Sequence, residues 1–419
     1  MEYETLRKDN LRWILQPGVR GAYLFNADRF IKNFTDLLNE FRRIYPNTKI
    51  AYSYKTNWTP DICNIVNTLG GYAEVTSPLE YKMAKEVVGV QNENIIYNGL
   101  IPSHYMHGTV AYGGKLNVES HQALGHVLET AARRHSTQLK IGIRIGFDQS
   151  RFGFKESAVE SVVKKITDHG HIVAGIHCHI GGGNSRTLDA WGEKTDRMLK
   201  IADKIEKITG YPLEYIDLGG HLYGRMHPEL ARQFKGQIPT FKDYAETVAT
   251  KTSDAYKDKD SMPELILEPG TALVGDAVTI LARVETVKEI NGQSVITLSV
   301  SSYDCGMVAD YKNLPVENIS NMFRSTSRRD TKICGYTCME EDYINRASNI
   351  FAYSGDVVHI QNCGAYSISM KGNFIYEPLP VYMVDDRYNM LGISRFMSGI
   401  EEAVESFSIG GKKCKKLQY

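Results

Sequence analysis

The stretch Ala51-Tyr52-Ser53-Tyr54-Lys55-Thr56-Asn57 decides how this chain folds. Thr48 to Tyr54 is a run of small and aromatic β-formers that stops at a single lysine. Thr59-Pro60-Asp61 then offers an N-cap, a first-turn proline and an acid for a helix. Lys55 is thereby set where a strand ends and its helix begins. A lysine so placed either carries its charge to solvent along its stem or sits partly desolvated, with a lowered pKa and an amine able to form an imine.

The same strand-end pattern recurs outward from this point. Eight short apolar stretches each precede a helical pattern: Ile50 to Tyr54, Tyr72 to Val75, Ile95 to Tyr97, Leu116 to Val118, Ile141 to Ile145, Ile172 to Ile176, Tyr215 to Leu218 and Leu265 to Leu267. Eight strands alternating with helices predict an α/β chain folded as a (β/α)8 TIM-type barrel. Ahead of it, Ala22 to Phe25 reads as a strand and Asp28 to Tyr45 as an amphipathic helix. Beyond Gly275 the pattern changes to alternating strands, Val278 to Val287 and Ser294 to Ser301, with no helical period until Ser398 to Ser406. The expected division is residues 1–26 as an N-terminal strand joining a β domain, 27–275 as the barrel, and 276–419 as a mostly antiparallel β domain.

Composition narrows the function by exclusion. The 49 basic and 49 acidic side chains of the 419 residues cancel, which leaves no net field to gather nucleic acid or an anionic membrane. Met1 to Asn10 lacks the apolar core of a signal peptide and no later run is long enough to span a bilayer, so a cytoplasmic protein is expected. Seven scattered cysteines argue for reduced thiols. Cys334 and Cys338 with His177 and His179 lack the spacing of a zinc finger, and no metal is expected.

Barrel strands aim their C-terminal residues at the mouth. Glu74, at the end of the second, can there orient a base or a cofactor. Ser77 and Glu80 flank Pro78 as a capping box for a helix to Val88. Asn98-Gly99 and Glu119-Ser120 end the third and fourth strands and read as turns or caps. Arg144 lies within the apolar fifth strand, followed by Asp148 and Ser150-Arg151-Phe152-Gly153, and a buried guanidinium needs an internal partner or an anionic ligand. Of His177 and His179, at most one is expected to look into the mouth, and Gly181 to Gly183 permit close approach of backbone to a ligand. Gly219-Gly220-His221 follows the seventh strand, where barrels place phosphate cradles. Glu268, in the rigid turn Glu268-Pro269-Gly270-Thr271, needs a cationic or N–H partner to be desolvated. The tail Lys412-Lys413-Cys414-Lys415-Lys416 is expected to be solvated and without fixed structure.

Together these motifs resemble the fold type III pyridoxal-phosphate decarboxylases, which include ornithine, diaminopimelate and carboxynorspermidine decarboxylases, with alanine racemase as a more distant relative. The resemblance spans nearly the whole chain. It implies a pyridoxal 5'-phosphate cofactor, with Lys55 in Tyr52-Ser53-Tyr54-Lys55-Thr56-Asn57 as the Schiff-base lysine and His179 stacked on the ring. It implies Gly219, Gly220, Gly270 and Thr271 at the phosphate, Glu268 at the pyridine nitrogen, and Glu74 and Arg144 as further cofactor contacts. Gly335-Tyr336-Thr337-Cys338 with Asp342 resembles the family's cysteine segment, and Gly364-Ala365-Tyr366 matches the tyrosine that reaches the phosphate. Because that cysteine segment serves the second subunit, the resemblance implies a homodimer with shared active sites, in which Cys338 returns a proton and Met339 and Asp342 meet the substrate.

The departures bear on substrate. Thr271 stands where the family has arginine, Gly182 where it has a phosphate-binding serine, His221 where it has a third glycine, and Met339 beside the cysteine where an acid is common. Losing one charge-assisted contact costs roughly 1.5 to 3 kcal/mol, which backbone N–H groups at Gly219, Gly220 and Gly270 are expected to offset in part. The expected activity is α-decarboxylation of an amino acid, with a conjugated or carrier-tethered one as the finer expectation. The alternatives are an amino-acid racemase, against which a carboxylate at 268 argues, and a catalytically silent decarboxylase-like binding protein.

Overall fold

A computed structural model describes residues 19–147, 150–182, 184–320, 330–409 and 412–413. Asp148, Gly183 and Met1 to Asn10, named above, lie outside the described residues. The chain divides into two compact units, one of residues 32–224 and 237–273, the other of residues up to 31, 225–236 and 274 onward. The return of Arg225–Gly236 to the second unit carries no signal in the sequence.

Strand β1 (Gly21–Asn26) belongs to that second unit. The first unit is a closed parallel barrel of β2 (Thr48–Ser53), β3 (Tyr72–Val75), β4 (Ile95–Tyr97), β5 (Lys115–Val118), β6 (Lys140–Arg144), β7 (Ile172–His177), β8 (Tyr215–Asp217) and β9 (Glu264–Leu267), with β9 pairing back to β2. All eight expected stretches form these strands, within two residues at either end. Ala51, Tyr72, Ile96, Ala174, Tyr215 and Ile266, from six of the eight strands, pack into one buried cluster. Gly142 and Gly175 make room for the Tyr215 ring, since a methyl group on either would run into it.

Two helix starts differ from expectation. Thr59 precedes the helix Pro60–Thr68, but its hydroxyl donates to Asn57 Oδ1 at 2.7 Å instead of capping. Ser77 does accept the Glu80 N–H, whereas the Glu80 carboxylate reaches one residue further back, to the N–H and hydroxyl of Thr76. The capping box is therefore offset, and the helix passes at Met83 into a π-helical turn that ends at Gly89 in the left-handed conformation.

In the second unit, nine described strands form one sheet: β1, β10 (Val278–Ile290), β11 (Gln293–Leu298), β12 (Val316–Asn318), β13 (Thr331–Cys334), β14 (Tyr343–Ser348), β15 (Val357–Ile360), β16 (Val381–Val384) and β17 (Met390–Arg395). Only the β1–β16 and β11–β13 pairs are parallel. Ala22, Leu24, Leu281, Ile319, Val357 and Val384 form its core cluster. Short helical turns at Ser302–Cys305 and Met307–Asp310 lie within the region expected to be mostly strand. Lys412–Lys413, expected to be unstructured, pairs antiparallel with Ser408–Ile409, and the rest of that basic tail lies outside the described residues. Among the described residues no helix is long and apolar enough to cross a membrane.

Candidate active site

At the C-terminal end of β2 the chain leaves the strand through one 3-10 turn, Tyr54–Thr56, that turns Lys55 over the barrel. Its ammonium donates to Glu74 Oε2 and, at 3.2 Å, to Ser53 Oγ. Ser53 itself donates to Glu74 Oε2 at 2.7 Å. Register explains the arrangement: Ser53 and Glu74 are direct partners across β2 and β3. The Lys55 side chain is 32% exposed while Glu74 is 1% exposed, so the pair has a buried acid and an amine open to a ligand.

Glu268, just past β9, is the second buried acid. Its Oε1 accepts from Asn98 Nδ2 at 2.6 Å, and its Oε2 lies 3.2 Å from His177 Nε2 and 3.8 Å from His179 Nδ1. Burial on its own pushes Glu268 up. His177, which lies 3.2 Å away, and the Lys55 charge outweigh that and hold it well below the usual carboxylate range. Asp217, at the end of β8, has the opposite fate: burial and the neighbouring Glu268 raise it well above the usual range. Two close buried carboxylates resist ionising together, which drives this pair in opposite directions.

Both histidines thus meet Glu268, which corrects the expectation that one would turn away. Residues two apart lie on the same face of a strand. Their roles still differ. His177 is buried and Arg144 is its cross-strand partner. His179 is partly exposed, and its Nδ1 accepts the Gly220 N–H at 3.1 Å, which places the neutral ring's proton on Nε2. Burial lowers the pKa of both rings. His177, His179 and Glu268 are the one group among the described residues whose donors lie close enough for a metal ion, within 4.8 Å. Those donors are turned on one another, Gly220 and Asn98, so they describe a hydrogen-bonded floor. Cys334 and Cys338 belong to the other unit.

Sequence reasoning missed Ser53, Asn98, Asn117, His177, Asp217 and Tyr215. Asn98 read as a turn residue, yet it also donates to Glu74 Oε1 at 3.2 Å. Behind it Asn117 donates to Asn98 Oδ1 at 2.9 Å, and Tyr215 donates to Asn117 Oδ1 at 2.8 Å. Polar residues inside otherwise apolar strand ends, as in Leu116-Asn117-Val118 and Ile216-Asp217-Leu218, were the available signal.

Around the last two strands, Gly219 takes φ +67, and a methyl group there would lie 2.7 Å from the Cys178 carbonyl oxygen. At Gly220 it would strike the Glu268 carbonyl, and at Gly270 the Thr56 hydroxyl. The glycines thus keep the turns close to the barrel. Two of the N–H groups expected to serve the phosphate are engaged elsewhere: Gly219 donates to Asp217 Oδ1 at 2.8 Å and Gly220 to His179 Nδ1 at 3.1 Å. Instead the N–H groups of His221 and Thr271 find no acceptor among the described residues. Arg144 is 8% exposed, stacks 4.8 Å from the Phe152 ring and leaves its Nε without a partner.

A pyridoxal phosphate cofactor fits these residues. It needs an amine for its aldehyde, an anion for its ring nitrogen and unsatisfied N–H groups for its phosphate. Lys55, the ionised Glu268 and the cradle after β8 and β9 offer all three.

In the sheet unit, Cys338 is exposed. Its loop is anchored by buried Asp342, whose Oδ1 accepts from the Ser302 N–H and hydroxyl and whose Oδ2 accepts from those of Thr337, at 2.7 to 3.0 Å. Tyr366 holds the left-handed conformation at φ +57, an uncommon one for a bulky residue. It lines a pocket of about 570 Å³ with Tyr303, Met307, Met339, Met370 and Phe374.

Residues 31–275 match the family model described as the pyridoxal-dependent decarboxylase, pyridoxal binding domain. The chain is 28% identical over 376 residues to diaminopimelate decarboxylase of Methanocaldococcus jannaschii, covering 84% of this chain and 83% of that one. It is 25% identical over 397 residues to the Aquifex aeolicus enzyme of the same name, covering 88% and 87%. The crystal structure of the M. jannaschii enzyme with L-lysine superimposes with a TM-score of 0.81 at 24% identity, covering 92% of each chain.

Proposed function

Since the chain belongs to the pyridoxal-dependent decarboxylases, lyases that release carbon dioxide from an amino acid with pyridoxal 5'-phosphate, we propose that Lys55, Glu74, His179 and Glu268 form its catalytic centre and that a bulky amino acid is its substrate. The observation that carries the site is geometric: Glu74 and Ser53 hold the Lys55 amine at one side of the barrel floor, and Asn98 and His177 hold the buried Glu268 carboxylate at the other. When bound, the cofactor supplies an aldehyde that takes up an amine and a pyridine ring that draws off the electron pair left as carbon dioxide departs.

The protein's residues make that ring effective. Lys55 presents the amine, and Glu74 with Ser53 fixes it and is placed to accept its proton. Glu268 retains a proton on the ring nitrogen, and His177 keeps Glu268 charged. His179, its tautomer set by Gly220, offers its face to the ring. Gly219 and Gly220 would shape the phosphate turn, Gly270 and Thr271 would close its far side, and Arg144 backs His177. Cys338 hands a proton to the α carbon from the partner subunit of a homodimer. Its exposure outside the barrel unit agrees with service to another chain. Both Asp342 oxygens are engaged, so it acts by holding the Cys338 loop. A cytoplasmic location completes the reading.

The substrate follows from Met339 and its surroundings. A wall of methionines and aromatic rings in a pocket of about 570 Å³ suits a long acylated or conjugated side chain better than the compact charged end of lysine, ornithine or diaminopimelate. The test is carbon dioxide release from a panel of α-amino acids, including ones acylated on the side chain, alongside free diaminopimelate. Turnover confined to the free basic amino acids would refute the substrate assignment. Loss of optical activity without carbon dioxide would refute the decarboxylase itself.

A further inference from the structure

Two loops meet beside the glycine turn, and one hydroxyl fastens both. Tyr244 donates to the Arg186 carbonyl at 2.5 Å and accepts the Tyr223 N–H at 3.2 Å, joining the segment before the helix Leu188–Thr209 to the segment after β8. The Arg186 guanidinium stacks over the Tyr223 ring, 5.2 Å from its centre. Its Nε is buried without a hydrogen-bond partner, and among the described residues no carboxylate pairs with it. A half-buried cation fixed in place and left without an anion is a binding site in waiting.

Two other basic groups near this turn, Lys194 and His221, are engaged or discharged. Lys194 is buried, donates to the Leu218 carbonyl at 2.7 Å and lies 3.2 Å from the centre of the Trp191 ring. Burial lowers it to about 8. His221, at φ +71, has its Nδ1 2.8 Å from Ser185 Oγ and 3.3 Å from the Ile180 carbonyl oxygen. Burial, with help from the Arg186 charge, lowers it to about 4, so its ring is neutral. The free N–H groups of His221 and Thr271 add donors but no charge.

We propose that Arg186 is the cation that binds the phosphate monoester of the cofactor, taking over from the arginine that position 271 lacks, while Ser185 pins the His221 ring aside. The assignment rests on the cofactor reading above. It explains how a chain with threonine at 271, glycine at 182 and histidine at 221 still offers a positive phosphate site.

Equilibrium uptake of pyridoxal phosphate and of unphosphorylated pyridoxal by the cofactor-free protein, followed by visible absorbance, tests this directly. Arg186→Ala is expected to weaken pyridoxal phosphate binding on the order of 10- to 100-fold while pyridoxal binds as to wild type, with Arg186→Lys in between. Inorganic phosphate should compete with the phosphorylated aldehyde in wild type and much less in Arg186→Ala. Equal weakening of both aldehydes, or of neither, overturns the assignment while leaving the cofactor in place. Wild-type protein that takes up neither aldehyde overturns the cofactor reading as well.

Discussion

Asn98 donates to Glu268 Oε1 at 2.6 Å and gives its other amide hydrogen to Glu74 Oε1, so one side chain joins the acid that holds the Lys55 amine to the acid past β9. It cannot turn round. Asn117 donates to its oxygen, and Tyr215 fixes Asn117 in turn. Asn98→Ala would leave both buried carboxylates short of a donor, which costs about 1 to 3 kcal/mol. Denaturant unfolding of the cofactor-free variant should show that loss, and a spectral pH titration of the loaded protein should show an altered ring-nitrogen pKa. An unchanged titration would reduce Asn98 to a packing residue.

Lys55→Ala should leave nothing for borohydride to fix, read by mass mapping of the reduced adduct. Cys338→Ala should keep the adduct and lose turnover by roughly 10²- to 10⁴-fold, the usual worth of a positioned proton donor. Mixing the two inactive proteins should then restore partial activity if each site draws on both chains. Proven subunit exchange without recovery would remove the shared site.

Gly220→Ala should be more damaging than an ordinary glycine substitution. Its methyl group would meet the Glu268 backbone carbonyl, which cannot swing away as a side chain could. A loss of about 1 to 3 kcal/mol in stability is expected, with weaker cofactor uptake because Gly220 also holds His179. Thermal unfolding with and without cofactor checks both.

The sheet unit has its own acid sensitivity. His359 is buried, and burial lowers it to about 4 from an ordinary 6.5, with Arg29 and His227 lowering it further against Glu317. Its folded state refuses a proton that the unfolded chain accepts. The resulting stability is complete above pH 6.5 and is lost as pH falls toward 4, at up to ~1.4 kcal/mol per pH unit. His359→Gln should flatten stability against pH across that window in cofactor-free protein. An equally steep fall in the variant would assign the effect to other groups.

The sequence alone determined the barrel, because strand ends such as Tyr54-Lys55 and Leu267-Glu268 combine apolar runs with helix starts, and both signals are local. The change of pattern after Gly275 likewise announced a sheet of mostly antiparallel strands. Lys55, Glu74 and Glu268 were legible as strand-end charges that an apolar interior would not tolerate alone. Only the tertiary structure decided what they meet. Asn98 looked like a turn, one of His177 and His179 was expected to face away, and Asp217 was passed over, because register across a closed sheet brings together residues far apart in the chain. Arg186 is the clearest instance: nothing in Asn184-Ser185-Arg186-Thr187 marks a site, and only Tyr244, 58 residues on, holds it there. Charge and periodicity are written along the chain, but which charge neutralises which depends on distance in space.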